Sequence, residues 1–486
     1  MSALNNISDS HTDYAQRMLS WSKIRDCLEG EDRVKDQGKA YLPQPSGMDL
    51  NAYKAYKTRS SFYAVTERTL RGLSGLVFRN DPIFNCPEKL EPMRENMASD
   101  GYSFPVLCQE VIDEVLSIGR YGILVDFPSG AAVTDLPHLV TYRAEDIINW
   151  SQRFIAGKKV LTRIVLRDDI DNTNGNDAVR YLELFLDDAG EYVSRVWEGN
   201  FVAAQGVKPT SLTFAVTDER KPTVGGKPMK MLPFVFINPY DLKPDVEKPP
   251  FLDLVNMNLA HFRNSADYEH SLFLTAQPTP WVAGNLDAAT RPKSIGSGTI
   301  WYLPESTTVG MLEFQGAGIE AQRSAMLDKE DRMAALGARM IKDGSKSAET
   351  AETTRLRGRS EMSLLTSVVN MVSAGLTSVL KMAAEFVGVD PSEVEVYVNC
   401  DFIETRLSPQ ELSELIKAWQ SGAISRRTLH ENLQRGEIVP GDRKEEDEKD
   451  LIDQEAMDLE KAVATVQRAL QPPGQDQVPP QPEDSV

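Results

Sequence analysis

The stretch Gly316-Ala317-Gly318-Ile319-Glu320-Ala321 is where residue types and spacing most invite a cofactor. Two glycines between a strand-like run and a helical one could bring the backbone close to a pyrophosphate at a helix N-terminus. What must follow is missing: a second parallel strand ending in an acidic residue about twenty positions on. The sequence there becomes a polar run around Gly344, and a strand-to-helix hinge accounts for both glycines. The fragment GGKP at Gly225 has neither the spacing nor the Ser or Thr of a phosphate-binding loop, so it reads as a turn. His261 and His270 fall on one helical pattern but more than two turns apart, too far to share a metal ion, which leaves them structural or interface roles. The four cysteines, Cys27, Cys86, Cys108 and Cys400, stand singly, without a C-x-x-C pair. Carboxylate pairs such as Asp328 with Glu330, and the acidic run 445–448, sit in charge-dense stretches that read as solvated faces. No catalytic residue, metal ligand or cofactor is expected.

Composition agrees with that emphasis. With 486 residues the chain can form two to four domains or one large subunit, and 41% apolar with 26% charged residues is a globular balance. The net charge of −19 opposes nonspecific adhesion to nucleic acid, because phosphate affinity comes from Lys and Arg displacing counterions. Acidity is nonetheless compatible with a conduit along which a polyanion slides. No window approaches the roughly 20 uninterrupted apolar residues of a membrane helix. The start, MSALNNISDSHTDYAQ, lacks a basic stretch followed by an apolar one, so a soluble, cytoplasmic product is expected.

The elements that would position contact surfaces are mixed, an α+β chain. An amphipathic segment over 14–28 precedes the turn-rich YLPQPSGMD; one strong helix, N-capped by Asp49 or Asn51, then carries Phe62, Val65, Leu73, Leu76 and Val77. Its Lys54, Lys57, Arg59, Arg68 and Arg71 read as a solvated stripe rather than a DNA contact. A helix over 104–118 ends at Gly119 and Gly122 and runs into the strand ILVDF. Between His138 and Pro239 the period shifts toward two, predicting an antiparallel sheet. A helix over about 252–273 leads into three short strands, TPWVAG, TIWYLPE and TVGMLEF, a compact β insertion. A charged helix over 319–341 gives way to the polar loop KDGSKSAETAE. A long helix then runs from about 351–354 to 386, with Gly375 as a candidate bend. The strand EVYVNCDF, a capping box from Ser408 to Glu411, the helix SRRTLHENLQ and a charged helix past Pro440 complete the folded part; the proline-rich tail reads as disordered.

Several stretches, in their order along the chain, resemble the portal proteins of tailed bacteriophages: FYAVTERTLRGLSGLVFR, VLSIGRYGILVDFP, YRAEDIINW, NLAHFRNSADYEHSLFLTAQPTPWVAG and LIKAWQSGAISRRTLHENL. The resemblance covers nearly the whole chain except the first dozen residues and the tail. It implies a portal architecture assembled as a ring by analogy dodecameric, with a wing over 1–250 joined by the long helix and strand 354–405. Stem helices would cover 251–273 and 317–341, a clip 274–316, a tunnel loop 342–353, a helical crown 406–470 and a disordered tail 471–486. Lys342, Gly344, Ser345, Lys346 and Ser347 would then face DNA in the channel, two lysines per copy supplying local phosphate contacts. Trp281, Arg291, Lys293, Trp301 and Tyr302 would form the clip interface. The implied partners are further copies of the chain, double-stranded DNA in the channel, the terminase large subunit, head-tail adaptor and tail proteins, and capsid and scaffolding proteins, without a membrane. The place is the portal vertex of a virion, assembled in the host cytoplasm. The chain would not be an enzyme, ATP hydrolysis belonging to the separate motor. The alternatives are another head-tail structural or adaptor protein and a dinucleotide-dependent enzyme using Gly316 and Gly318.

Overall fold

The computed structural model describes residues 6–126, 136–155, 157–169, 179–201, 212–276, 279–285, 287, 291–296, 298–312, 316–338, 351–400, 402, 409–435, 438–439, 443 and 445–469. The chain divides into two compact units, Met1–Phe402 and Ile403–Val486.

The first unit opens with α1 (Thr12–Glu29), whose first turn is capped by His11 Nδ1 accepting from the Asp13 N–H, and with the short α2 (Glu31–Asp36). In place of the single helix expected after Asp49 there are two, α3 (Leu50–Arg59) and α4 (Val65–Val77). Asp49 does cap the first, accepting from Ala52 N–H at 2.8 Å. Residues 60–64 leave the helical path because partners far along the chain hold them: Ser61 N–H donates to Ser265 Oγ at 2.9 Å, and buried Phe62 meets Phe262 edge to face. Nor is the basic stripe uniformly free, since Arg71 pairs with Glu67 at 2.6 Å and Arg59 lies over the Phe273 ring.

Next come β1 (Ile83–Asn85), α5 (Phe104–Ser117), β2 (Tyr121–Asp126) and β3 (His138–Arg143). Gly119, at φ 84°, turns the chain out of α5 as expected. Gly122 has a different role: it lies inside β2, where a Cβ would come within 2.4 Å of the Phe234 ring. The five strands β4 (Ile147–Ile155), β5 (Lys158–Asp169), β6 (Val179–Leu186), β7 (Tyr192–Phe201) and β8 (Leu212–Arg220) form an antiparallel meander in that order. Ion pairs lace neighbouring strands, Arg163 with Glu183 and Arg180 with Asp168 at 2.6 Å and Arg195 with Glu219 at 2.8 Å. After the small hairpin β9 (Thr223–Val224) and β10 (Lys227–Pro228), β11 (Phe234–Ile237) joins a three-stranded sheet ordered β11-β2-β3.

The remainder of this unit is α6 (Leu252–Thr275), β12 (Thr279–Ala283), β13 (Thr308–Leu312), α7 (Ala317–Met333), α8 (Ala351–Val387) and β14 (Glu395–Tyr397), which pairs antiparallel with β1. Leu365, Val368, Val369, Val372, Leu376, Val379, Leu380, Ala383 and Ala384 recur at helical spacing and are buried against α5, β2 and β11. The stretch Leu364–Val387 is therefore long and apolar enough to cross a membrane by length and composition, and its hydropathy is that of a core face. Helix α8 runs unbroken through Gly375, which is not a bend but a close approach: a Cβ there would sit 2.7 Å from the Ile237 side chain. A second core gathers Trp21, Ile24, Phe262, Leu166 and Leu184 from α1, α6 and the large sheet. Arg25 bridges the parts, bonding Glu114 of α5 at 2.6 Å and Glu145, just ahead of β4, at 2.8 Å.

The second unit holds α9 (Pro409–Gln420), α10 (Arg426–Arg435) and α11 (Glu445–Ala469). Ser425 caps α10 by accepting from Thr428 N–H at 3.1 Å, and His430 is buried beside the Arg443 carbonyl. The expected capping box begins at Ser408 and the proline-rich tail at Gln471, both outside the described residues.

Asp113 of α5 lies beside Ser74 of α4, and burial pushes its carboxyl up to about 6 from an ordinary 3.8. Between those values the folded protein holds a proton that the unfolded chain has released, so this group lowers stability as pH rises through that window. Asp113→Asn should raise Tm at pH 7 and leave it unchanged at about pH 3.5. Thermal unfolding at the two pH values checks this, and an equal shift at both contradicts it.

Candidate functional site

Helix α6 passes through two environments. Leu254, Val255, Leu259, Phe262 and Ala266 are buried, following one face over its first four turns. About three turns beyond Phe262, Phe273 is 60% exposed and Leu274 exposed as well. The helix thus leaves the body, and α7 packs alongside it on the return. Between them lies an antiparallel ribbon in which β12 pairs with β13, Trp281 opposite Gly310.

The root of this arm is clamped by α3. Tyr56 Oη donates to Asp267 Oδ1 at 2.6 Å, and its ring meets His270 edge to face. Arg59 places a nitrogen 3.1 Å from His270 Nδ1 and its guanidinium 4.0 Å from the centre of the Phe273 ring. On the other side Asn258 Nδ2 donates to Thr66 Oγ1 at 3.0 Å, and His261 Nε2 lies 3.3 Å from Glu330 Oε1 of α7. Burial pushes the His261 imidazole below its ordinary value, and Glu330 acts in the opposite sense. Below this pair Met333 is fully buried, and the chain turns sharply at Gly337, φ 118°.

The ribbon has two strands where three were expected. Trp301 and Tyr302 lie in irregular chain: Trp301 Nε1 donates to the Ser294 carbonyl at 2.8 Å, and Pro304, which has no N–H for a ladder, opens a turn closed by Thr307 N–H. Trp281 is partly exposed and lies over Gly310, whose Cβ would come within 2.7 Å of the indole, so this glycine is needed for the ring to lie flat. Arg291 and Lys293 are exposed in the connecting chain, and Tyr302 is 84% exposed. Ile295, Ile300, Val309, Met311 and Leu312 are exposed too. A lone two-stranded hairpin is marginally stable in water, and this one presents apolar side chains without covering them. Its chemistry is that of a contact surface.

Lys342, Gly344, Ser345, Lys346 and Ser347 lie outside the described residues. Gly316 adopts the left-handed conformation, φ 77°, as the N-cap of α7, and Gly318 falls in that helix's first turn. The strand ahead belongs to an antiparallel ribbon, so the parallel strand–helix–strand crossover of a dinucleotide fold is not built here. Sequence reasoning singled out His261 and His270 but placed their partners Glu330 and Arg59 on solvated faces and did not name Tyr56; the structure sets Glu330 against His261 and Arg59 against His270. No local pattern announces contacts between α3 and α6, some two hundred residues apart.

Residues 250–387, from α6 through α8, match the family described as a domain of unknown function, DUF4055. No curated protein matches the sequence. Similar solved structures include chains of the neck of an empty GTA particle computed with C6 symmetry (13% identity, 81% of this chain and 96% of that chain, TM-score 0.38) and of the neck of a native GTA particle computed with C12 symmetry (13%, 82% and 97%, 0.36). A third is a chain of the virion of a native gene transfer agent particle (14%, 81% and 96%, 0.37).

If the α3 clamp sets the arm's posture, Tyr56→Phe combined with Arg59→Ala should loosen the arm without unfolding the body. Limited proteolysis should cut faster between residues 285 and 300 while Tm falls by only a few degrees, on the order of two lost contacts at about 1 kcal/mol each. Unchanged cleavage would show that the arm is held elsewhere.

Proposed function

We propose that the chain is a portal protein of a tailed phage or a related particle, a non-enzymatic subunit of the ring through which double-stranded DNA enters and leaves the capsid. The observation that carries this reading is the arm: an antiparallel helix pair projecting from a mixed α+β body and ending in an apolar, uncovered ribbon. Helices lining a closed ring must offer one face to neighbours and another to the lumen, and Ala317–Met333, polar around most of its circumference with both charges and buried only at Met333, would meet them through charged side chains. On this reading α6 and α7 are the stem, the ribbon with Trp281, together with Arg291, Lys293, Trp301 and Tyr302 of the chain that connects its strands, is the clip that docks the terminase motor and later adaptor or tail proteins, and residues 342–353 form the tunnel loop. Of the sequence stretches resembling portal proteins, NLAHFRNSADYEHSLFLTAQPTPWVAG runs through α6 and β12.

Electron microscopy of the purified protein should show rings; a persistent monomer under all conditions would reject the proposal. Replacing residues 343–349 with glycines should impair DNA packaging or retention while rings still form, and loss of assembly instead would remove the loop from the channel. Trp281→Ala with Tyr302→Asp should weaken binding of the terminase large subunit by about tenfold or more, the scale of lost interface anchors. Intact rings that bind no motor, whatever the variant, would point to a head-tail adaptor instead.

A further inference from the structure

The large sheet ends on β4, and the two halves of that edge differ. Residues 147–150 are buried, and the chain ahead of α1 lies along them: His11 N–H donates to the Ile148 carbonyl at 2.8 Å, and Asn149 Nδ2 to the Asp9 carbonyl at 2.7 Å. Past Trp150 this cover ends. Ser151, Arg153, Phe154 and Ile155 are exposed, as are Lys158 and Lys159 across the turn, and Phe154 reaches 74%. The register sets Phe154 opposite Lys159 and Ile155 opposite Lys158. Among the described residues no carboxylate pairs with Arg153, Lys158 or Lys159; Lys159 lies 5.9 Å from the centre of the Phe154 ring.

The base of this hairpin is closely packed. Trp150 stacks on His11 at 4.1 Å and takes the guanidinium of fully buried Arg120 at 4.0 Å. A pocket of about 330 Å³ opens there, between His11, Trp150, Gln152, Phe154, Lys159 and Asp245. Lysines alone would blunt an open sheet edge against pairing. An exposed Phe and Ile beside them do the reverse, so the tip has the composition of an anchor with a charged rim.

We propose that the β4–β5 tip docks onto a second copy of this chain, Phe154 and Ile155 making the apolar contact while Arg153, Lys158 and Lys159 meet carboxylates of the neighbour. Charge identifies the occupant. Copies that each carry −19 repel one another unless a local patch of opposite sign is set against the acidic surface. A basic tip on an acidic receiving surface joins two different patches, the head-to-tail contact that closes into a ring. The inference rests on the ring assembly proposed above.

The experiment compares wild type with the triple variant Arg153→Glu, Lys158→Glu, Lys159→Glu and with Phe154→Ser, all surface changes whose folding is checked by thermal unfolding. Native mass spectrometry and sedimentation at low and high salt read the assembled state. Carbodiimide cross-linking of mixed labelled and unlabelled copies reads which carboxylates meet the lysines. Both variants should remain folded and need about tenfold or more higher concentration to reach half-assembly, in line with losing a contact cluster. Wild-type cross-links should join Lys158 or Lys159 to Asp or Glu of another copy. Variants that assemble like wild type at every salt concentration would overturn the tip's role and leave the ring standing. Normal assembly with loss of DNA retention would overturn it in favour of nucleic acid. A wild-type chain that never assembles would remove the ring reading and this inference together.

Discussion

Phe62 and Phe262 meet edge to face, 6.0 Å between ring centres, where α6 is still inside the body. A helix is a stiff rod rising about 1.5 Å per residue, so whatever orients its buried turns also aims the part that leaves. The aromatic pair, the Ser61–Ser265 hydrogen bond and the Tyr56–Asp267 and Arg59–Phe273 contacts follow one another up α6. The ribbon hangs from this stretch together with the end of α7, which returns to the core at Met333. The break between α3 and α4 belongs to the same device, because only a chain that stops being helical at residue 60 can place Phe62 and Ser61 against α6.

The body that holds that arm packs around two cores. One core packs the α8 stripe against α5, β2 and β11; the other packs α1 and α6 on the large sheet. Arg25 spans elements of both, its charge answered by Glu114 and Glu145. Breaking such a partly buried pair would strand a carboxylate, which makes it a constraint on geometry more than a source of net stability. Close backbone approaches at Gly122 and Gly375 let β11 sit against both β2 and α8 without a gap.

Exposed apolar side chains are spread over the surface, Leu19, Leu50 and Tyr240 among them, and two hairpins, β12–β13 with its connecting chain and the tip of β4–β5, each carry several together, while the chain as a whole is strongly acidic. Strong net charge keeps single copies soluble and apart.

Periodicity is a local property, and it made the α+β class, the long apolar face of α8, the antiparallel region and the helix boundaries near residues 12, 104 and 252 legible from the amino-acid sequence alone. Tertiary structure decided the rest: that residues 60–64 break a helix, that Gly375 makes room instead of a bend, that Trp301 and Tyr302 stand outside the ribbon, and that His261 and His270 find Glu330 and Arg59. Each of these depends on a partner distant in sequence. Local propensities differ by only about 1 kcal/mol per residue, so a single buried contact or hydrogen bond from elsewhere in the chain is enough to override them.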